Sequence, residues 1–160
     1  ASNRSRDAIE DIFAAFPPGE AVDLAVSRAG KLQTLTLKPV PACNARFEVV
    51  PSDTLIARSQ GKTIQISTRF VEAFGEEGTA VAAAHEFAHL VLKHGTRSSK
   101  ASERQADRLS IRLLAAAGFD PHIAPRFWRE HGASMGSRGH DPVGKRIELL
   151  ETEIAALEAR

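Results

Sequence analysis

His85 and His89 lie four residues apart in an apolar stretch, and Glu86 directly follows the first of them. On a helix, positions i and i+4 share a face, so both imidazoles can aim a ring nitrogen at one point. Glu86 is rotated by about 100° from His85, which sets its carboxylate beside that point rather than on it. Neutral imidazoles are good zinc ligands, and zinc lowers the pKa of a coordinated water to about 7. A carboxylate beside the metal can then take the proton. The pattern predicts one zinc ion per chain, with His85 and His89 as ligands and Glu86 as base. The ordinary alternative is a chance match on a structural helix, because the bare pattern fixes only three positions. The neighbours weigh against it. Val81, Ala82, Ala83, Ala84, Phe87, Ala88, Leu90, Val91 and Leu92 predict a helix buried almost all round. Two imidazoles and a carboxylate there are costly without a partner.

A catalytic zinc usually has three protein ligands and one open position. Glu103 is the best third donor: it opens the next helix-forming stretch, and Asp107 follows four residues later on the same face. One carboxylate can bind metal while the other accepts an N–H from a ligand histidine and fixes its tautomer. The competing reading is a solvated charged face at a helix N-terminus, since Arg104 and Arg108 stand beside these acids. His94, five residues after His89, suits a cap or a supporting contact better than a fourth ligand. Hydrolysis of a peptide bond also develops a tetrahedral oxyanion, which needs a donor besides the metal. The chain has no tyrosine, so the donor is sought among His, Arg and Lys. His140 is the first choice, because Gly136 and Gly139 predict an adaptable loop and Pro142 then starts the last helix. A plain surface-loop histidine is the competing reading. Arg146, one helical turn on, is the runner-up.

These residues must be carried by elements. Thr79 to Lys93 reads as one helix, with Gly95 after its end. Ser102 to Ala117 reads as a second, with Ser102 as N-cap and Gly118 as its stop. A short helix is predicted over Ile123 to Glu130. A last one is predicted from Val143 to Ala159, with Ile147, Leu150, Ile154 and Leu157 as its apolar face. Before the motif, Phe47 to Val50 and Thr63 to Ser67 look like a strand pair joined through Ser59-Gln60-Gly61. Further upstream, Ser5 to Phe16 reads as a helix ended by Pro17-Pro18-Gly19. Ala21 to Ser27 and Leu32 to Leu37 read as a hairpin turning at Arg28-Ala29-Gly30-Lys31. Pro39 and Pro41 mark a boundary, giving an expected division into residues 1–42 and 43–160.

A chain of 160 residues can bury about two thirds of its unfolded surface and needs no disulfide to be stable. The single cysteine, Cys43, permits no intrachain disulfide. With 21 Lys and Arg against 20 Asp and Glu, no nucleic-acid or anionic-membrane partner is indicated. The longest apolar run, Thr79 to Leu92, is interrupted by the motif itself and predicts no transmembrane segment. No leader sequence is present, and the start at Ala-Ser-Asn reads as a mature or trimmed form.

Together these segments resemble the HtpX-like and CAAX-prenyl-endopeptidase-like family of zinc metallopeptidases, of gluzincin type. Ala83-Ala84-His85-Glu86-Phe87-Ala88-His89-Leu90-Val91-Leu92-Lys93-His94-Gly95 is similar to its active-site helix. Glu103-Arg104-Gln105-Ala106-Asp107 is similar to its second motif, and Leu113 to Pro121 follows its manner. A late His140-Asp141-Pro142 leading to Arg146-Ile147 resembles its closing motif, with Asp141 inserted into the usual His-Pro. The family's Asn-Ala-x-Ala strand corresponds to Thr54-Leu55-Ile56-Ala57, without the Asn. Residues 7–40 look like the second half of a PDZ domain, read here as a packing appendage. The resemblance implies Glu103 as third ligand, His140 as the late functional histidine, endoproteolysis of protein or peptide substrates, and a periplasmic, cell-envelope or secreted location.

The expected fold is therefore α+β: a mostly helical zincin-type core with a small antiparallel sheet, preceded by a helix-plus-hairpin appendage. The rival function is a non-catalytic or latent zinc-binding interaction module, such as a chaperone-like adaptor. A structural zinc wants four closed ligands and has no use for Glu86. Three donors and a base favour catalysis, unless a loop supplies the fourth ligand. Oligomeric state is not legible in the sequence.

Overall fold

Ala29 and Gly30 both take a positive φ, 51° and 75°, as in the two-residue turns whose twist matches that of flanking strands. Around them β1 (Val22–Arg28) pairs antiparallel with β2 (Lys31–Leu37), from Val22↔Leu37 to Arg28↔Lys31. Thr36 Oγ1 donates across the pair to Asp23 Oδ1 at 2.6 Å. This hairpin lies in the first of two compact units, Ala1–Cys43 and Asn44–Arg160. The computed structural model describes residues 16, 19–40, 45–95, 99–135 and 140–160. The helix expected over Ser5 to Phe16 lies outside the described residues, apart from Phe16, which sits in a bend.

The second unit opens with β3 (Arg46–Val50), β4 (Ala57–Gln60) and β5 (Thr63–Ser67) in the order β3-β5-β4. The expectation of an antiparallel sheet is corrected here. β3 runs parallel to β5, and only β4 pairs with β5 antiparallel. Short, polar β4 escaped the sequence reading as a strand, because Arg58, Ser59 and Gln60 have little strand propensity. It forms because the chain doubles back at Gly61, φ 60°, onto β5. β5 is the buried centre, with Ile64 and Ile66 in the core.

Among the described residues four helices follow: α1 (Thr68–Val91), α2 (Lys100–Ala116), α3 (Ile123–His131) and α4 (Val143–Glu158). α1 begins eleven residues before the expected Thr79, because buried Ser67 caps it. The Ser67 hydroxyl accepts from Phe70 N at 3.1 Å and donates to the Thr54 carbonyl at 2.7 Å, so one side chain starts the helix and fastens the preceding loop. Gly75, at φ 61° and ψ −160°, breaks α1 into two limbs, and the second limb carries the motif. α2 starts earlier than expected too. Ser99, not Ser102, is its N-cap, and the two serines form a reciprocal capping box. Gly118, φ 83°, follows its end.

Ile64, Ile66, Phe70, Val81, Ile111, Leu114, Ile123, Phe127, Leu150 and Ile154 make the core. α1 packs on β4, β5, α2 and α3, while α4 packs on α2 and α3. The expectation that the motif helix is buried all round is corrected: Val81, Ala84 and Ala88 are buried, whereas Val91 is 45% exposed and His85, Glu86 and His89 face clefts. No helix among the described residues is long and apolar enough to cross a membrane.

Candidate metal centre

The second limb of α1 and the first turns of α2 lie side by side, and their polar residues meet at one point. His85 Nε2 is 3.1 Å from His89 Nε2 and 3.1 Å from Glu103 Oε2, and His89 Nε2 is 3.5 Å from the same oxygen. Ligands at 2.0–2.2 Å from a tetrahedral ion stand roughly 3.3–3.6 Å apart, close to this triangle. Glu103 is only 4% exposed although it lies in a first helical turn, so the solvated-face alternative fails for its position. His140, on the segment leading into α4, brings Nδ1 to 2.9 Å from Glu103 Oε2. That nitrogen is buried and has no aligned hydrogen-bond partner among the described residues, despite the short approach. An orphaned ring nitrogen beside a buried carboxylate is an arrangement that an additional cation satisfies.

His85, Glu103 and His140 thus form a buried group that could hold a metal ion. This trio differs from the one expected from sequence, which has His89 in place of His140. Both trios share His85 and Glu103, and the four side chains surround the same point.

Each member is held from behind. His85 Nδ1 lies 3.0 Å from Asp107 Oδ1. Asp107 is 2% exposed and also takes two bonds from Arg146, Nε to Oδ2 at 2.8 Å and Nη2 to Oδ1 at 2.5 Å. Arg146 in turn lies 3.7 Å over the Trp128 ring. Arg146, expected as a reserve oxyanion donor, is therefore committed to Asp107. His89 Nδ1 is 3.0 Å from His94 Nδ1, and His94 Nε2 is 3.0 Å from Gln105 Oε1. Glu86 lines both cavities that open on the donor set.

The charges explain what the site wants. Burial works against a charge on His85, but the Asp107 and Glu103 carboxylates outweigh it and push its pKa up to about 9. Burial likewise works against ionised Asp107, yet its bonds to His85 and Arg146 hold it below the usual carboxylate range. Among the described residues the Asp107 and Glu103 carboxylates both favour the proton on His85, which a metal cation at the same nitrogen would replace.

The cavity on one side of the donors measures about 410 Å³ and is walled by Leu55, Phe70, Val81, Phe127, Trp128 and Met135. On the other side a cleft of about 220 Å³ runs between Arg58 and Ser59 of β4 and the donors. Ala57, the last residue of the stretch read as a family strand motif, borders both.

Sequence reasoning missed Gln105 and the Arg104–Asp141 pair. Arg104 Nε donates to Asp141 Oδ2 at 2.5 Å and Nη2 to Oδ1 at 3.2 Å. Asp141, next to His140, is thereby tied to Arg104, next to Glu103. No local pattern could announce a contact across 37 positions. Gly136 and Gly139, expected to give the His140 loop its freedom, lie outside the described residues.

Comparison with protein-family models and with curated proteins finds no match to this chain.

Proposed function

We propose that the Asn44–Arg160 unit is a zinc-dependent endopeptidase. The observation that carries this reading is the convergence of His85, His89 and Glu103 donor atoms at 3.1–3.5 Å beside Glu86, in a cleft roofed by β4. Two imidazoles and one carboxylate suit zinc and leave one position open. When bound, zinc supplies Lewis acidity that polarises a carbonyl and makes water acidic. The chain supplies the rest. Edge strand β4 offers backbone groups to an extended peptide, because among the described residues it pairs on one side alone, with β5. The 410 Å³ cavity takes a large apolar side chain next to the cut bond. Glu86 accepts a proton from the attacking water as its oxygen bonds to the carbonyl carbon. It then returns that proton to the departing amide nitrogen as the C–N bond breaks. His140, at the rim of the donors, is placed to donate to the oxyanion once it swings off Glu103.

Metal analysis with casein cleavage tests this. One zinc per chain is expected. Glu86→Gln is expected to keep the zinc and lose about 10²–10⁴ in rate. Undiminished cleavage by that variant, or a chain that takes up no zinc, overturns the reading.

A second reading is favoured by the 2.9 Å approach of His140 Nδ1 to Glu103. If His140 is a fourth donor, the site is closed and the protein latent. His140→Ala separates the two: turnover falls if His140 serves the oxyanion and rises if it blocks the open position.

A further inference from the structure

His89 and His94 meet at the end of α1 through a specific chain reversal. Lys93 takes φ 54°, the left-handed region, just past the C-cap Leu92. Lys93 N then donates to the Leu90 carbonyl at 3.1 Å and His94 N to the His89 carbonyl at 3.0 Å. These are the two bonds of a Schellman motif, in which the residue after the left-handed one folds back onto the last turn. An apolar contact usually joins those two positions. Here two imidazoles occupy them, with ring centroids 5.1 Å apart at 69°. The five-residue spacing of the histidines is the spacing this motif requires.

The protons along the chain follow from who can donate. Gln105 presents its carbonyl oxygen Oε1 to His94 Nε2 at 3.0 Å, and a carbonyl oxygen only accepts. His94 Nε2 therefore carries the hydrogen. A neutral His94 then has a bare Nδ1, which must accept from His89 Nδ1 at 3.0 Å. A neutral His89 with its proton on Nδ1 has a bare Nε2, the nitrogen 3.1 Å from His85 Nε2 and 3.5 Å from Glu103 Oε2. Reversing any link would put a hydrogen on His89 Nε2 and spoil it as a ligand.

We propose that Gln105 and His94 are positioning residues, a hydrogen-bond relay that fixes His89 in the tautomer whose Nε2 lone pair faces the metal site. The consequence for metal binding rests on the zinc reading above; the tautomer itself does not. The two ligand histidines are thereby held by different means. His85 leans on a buried carboxylate, Asp107, while His89 leans on a neutral imidazole and an exposed amide. The relay makes the surface of α2 part of the metal centre.

The test uses the full chain in two states. In metal-free protein at about pH 8, long-range ¹H–¹⁵N spectra report which His89 nitrogen bears the proton. Wild type is expected to show Nδ1–H and bare Nε2. Gln105→Met, a surface change that removes the acceptor, is expected to give mixed tautomers, as is His94→Phe. Gln105→Glu, which restores an acceptor, is expected to recover the single tautomer. Zinc affinity by chelator competition is expected to follow: about 10–100-fold weaker in His94→Phe, roughly 3–10-fold weaker in Gln105→Met, and no weaker than wild type in Gln105→Glu. An unaltered His89 tautomer in Gln105→Met and His94→Phe overturns the relay, and so does zinc affinity within twofold of wild type in both. A wild-type chain that binds no zinc sinks the metal reading alone, and the spectra still decide the relay.

Discussion

Asp107 supports the site from directly behind His85. It touches His85 and Arg146 at once and is shut away from water. Asp107→Asn keeps an acceptor but gives up the charge that Arg146 needs. It is expected to weaken zinc binding by about 10–100-fold, read by chelator competition. The proton on His85 makes a second prediction at this scale. Its folded pKa of about 9 exceeds the ordinary 6.5, so in metal-free protein that proton adds stability fully below pH 6.5. The contribution is lost as pH rises from 6.5 through about 9. On the proposed zinc reading the metal takes the place of the same proton, so loading at pH 7 is expected to release one proton from His85. Calorimetry in buffers of different ionisation enthalpy counts it. Release of none would mean His85 is neutral before zinc arrives.

Helix ends carry much of the site's geometry. Ser67 starts α1 while tying down the loop before β4, Ser99 starts α2 one turn before Glu103, and Lys93 turns His94 back onto His89. Ser99 and Lys93 each lie one helical turn from a donor, Glu103 and His89, so fraying at either end would shift it. Gly118 tests how far this holds at the far end of α2. It sits at φ 83° with open space around it, so Gly118→Ala meets no clash and only the left-handed backbone opposes it. The expected cost is about 1 kcal/mol, seen in denaturant unfolding. Zinc affinity is expected to be unchanged, since Glu103 lies at the opposite end. A shift in affinity would show that α2 transmits strain along its length.

At the scale of the whole chain, the donor set bridges α1, α2 and the segment entering α4, so a bound cation acts as a cross-link within the Asn44–Arg160 unit. A ligand that binds only the folded state adds about 4 kcal/mol when present at a thousand times its Kd. Thermal melts with saturating zinc and with chelator are therefore expected to differ by several degrees. The spacing of His85, Glu86 and His89 was legible in the sequence because helical periodicity alone puts i and i+4 on one face. The starts of α2, α3 and α4 were legible to within about two residues, since caps, glycines and prolines act locally. The parallel pairing of β3 with β5 was not, because strand direction depends on where the chain returns. Glu103 could be nominated by ligand counting, but its burial came from α2 lying against α1. Gln105, Arg104 and Asp141 carried no signal at all, since an exposed amide and an ordinary ion pair gain meaning only from what faces them. The sequence by itself determined which residues can do chemistry and along which helix face they align. Tertiary structure decided which of them meet, because that depends on distances between segments that no local pattern encodes.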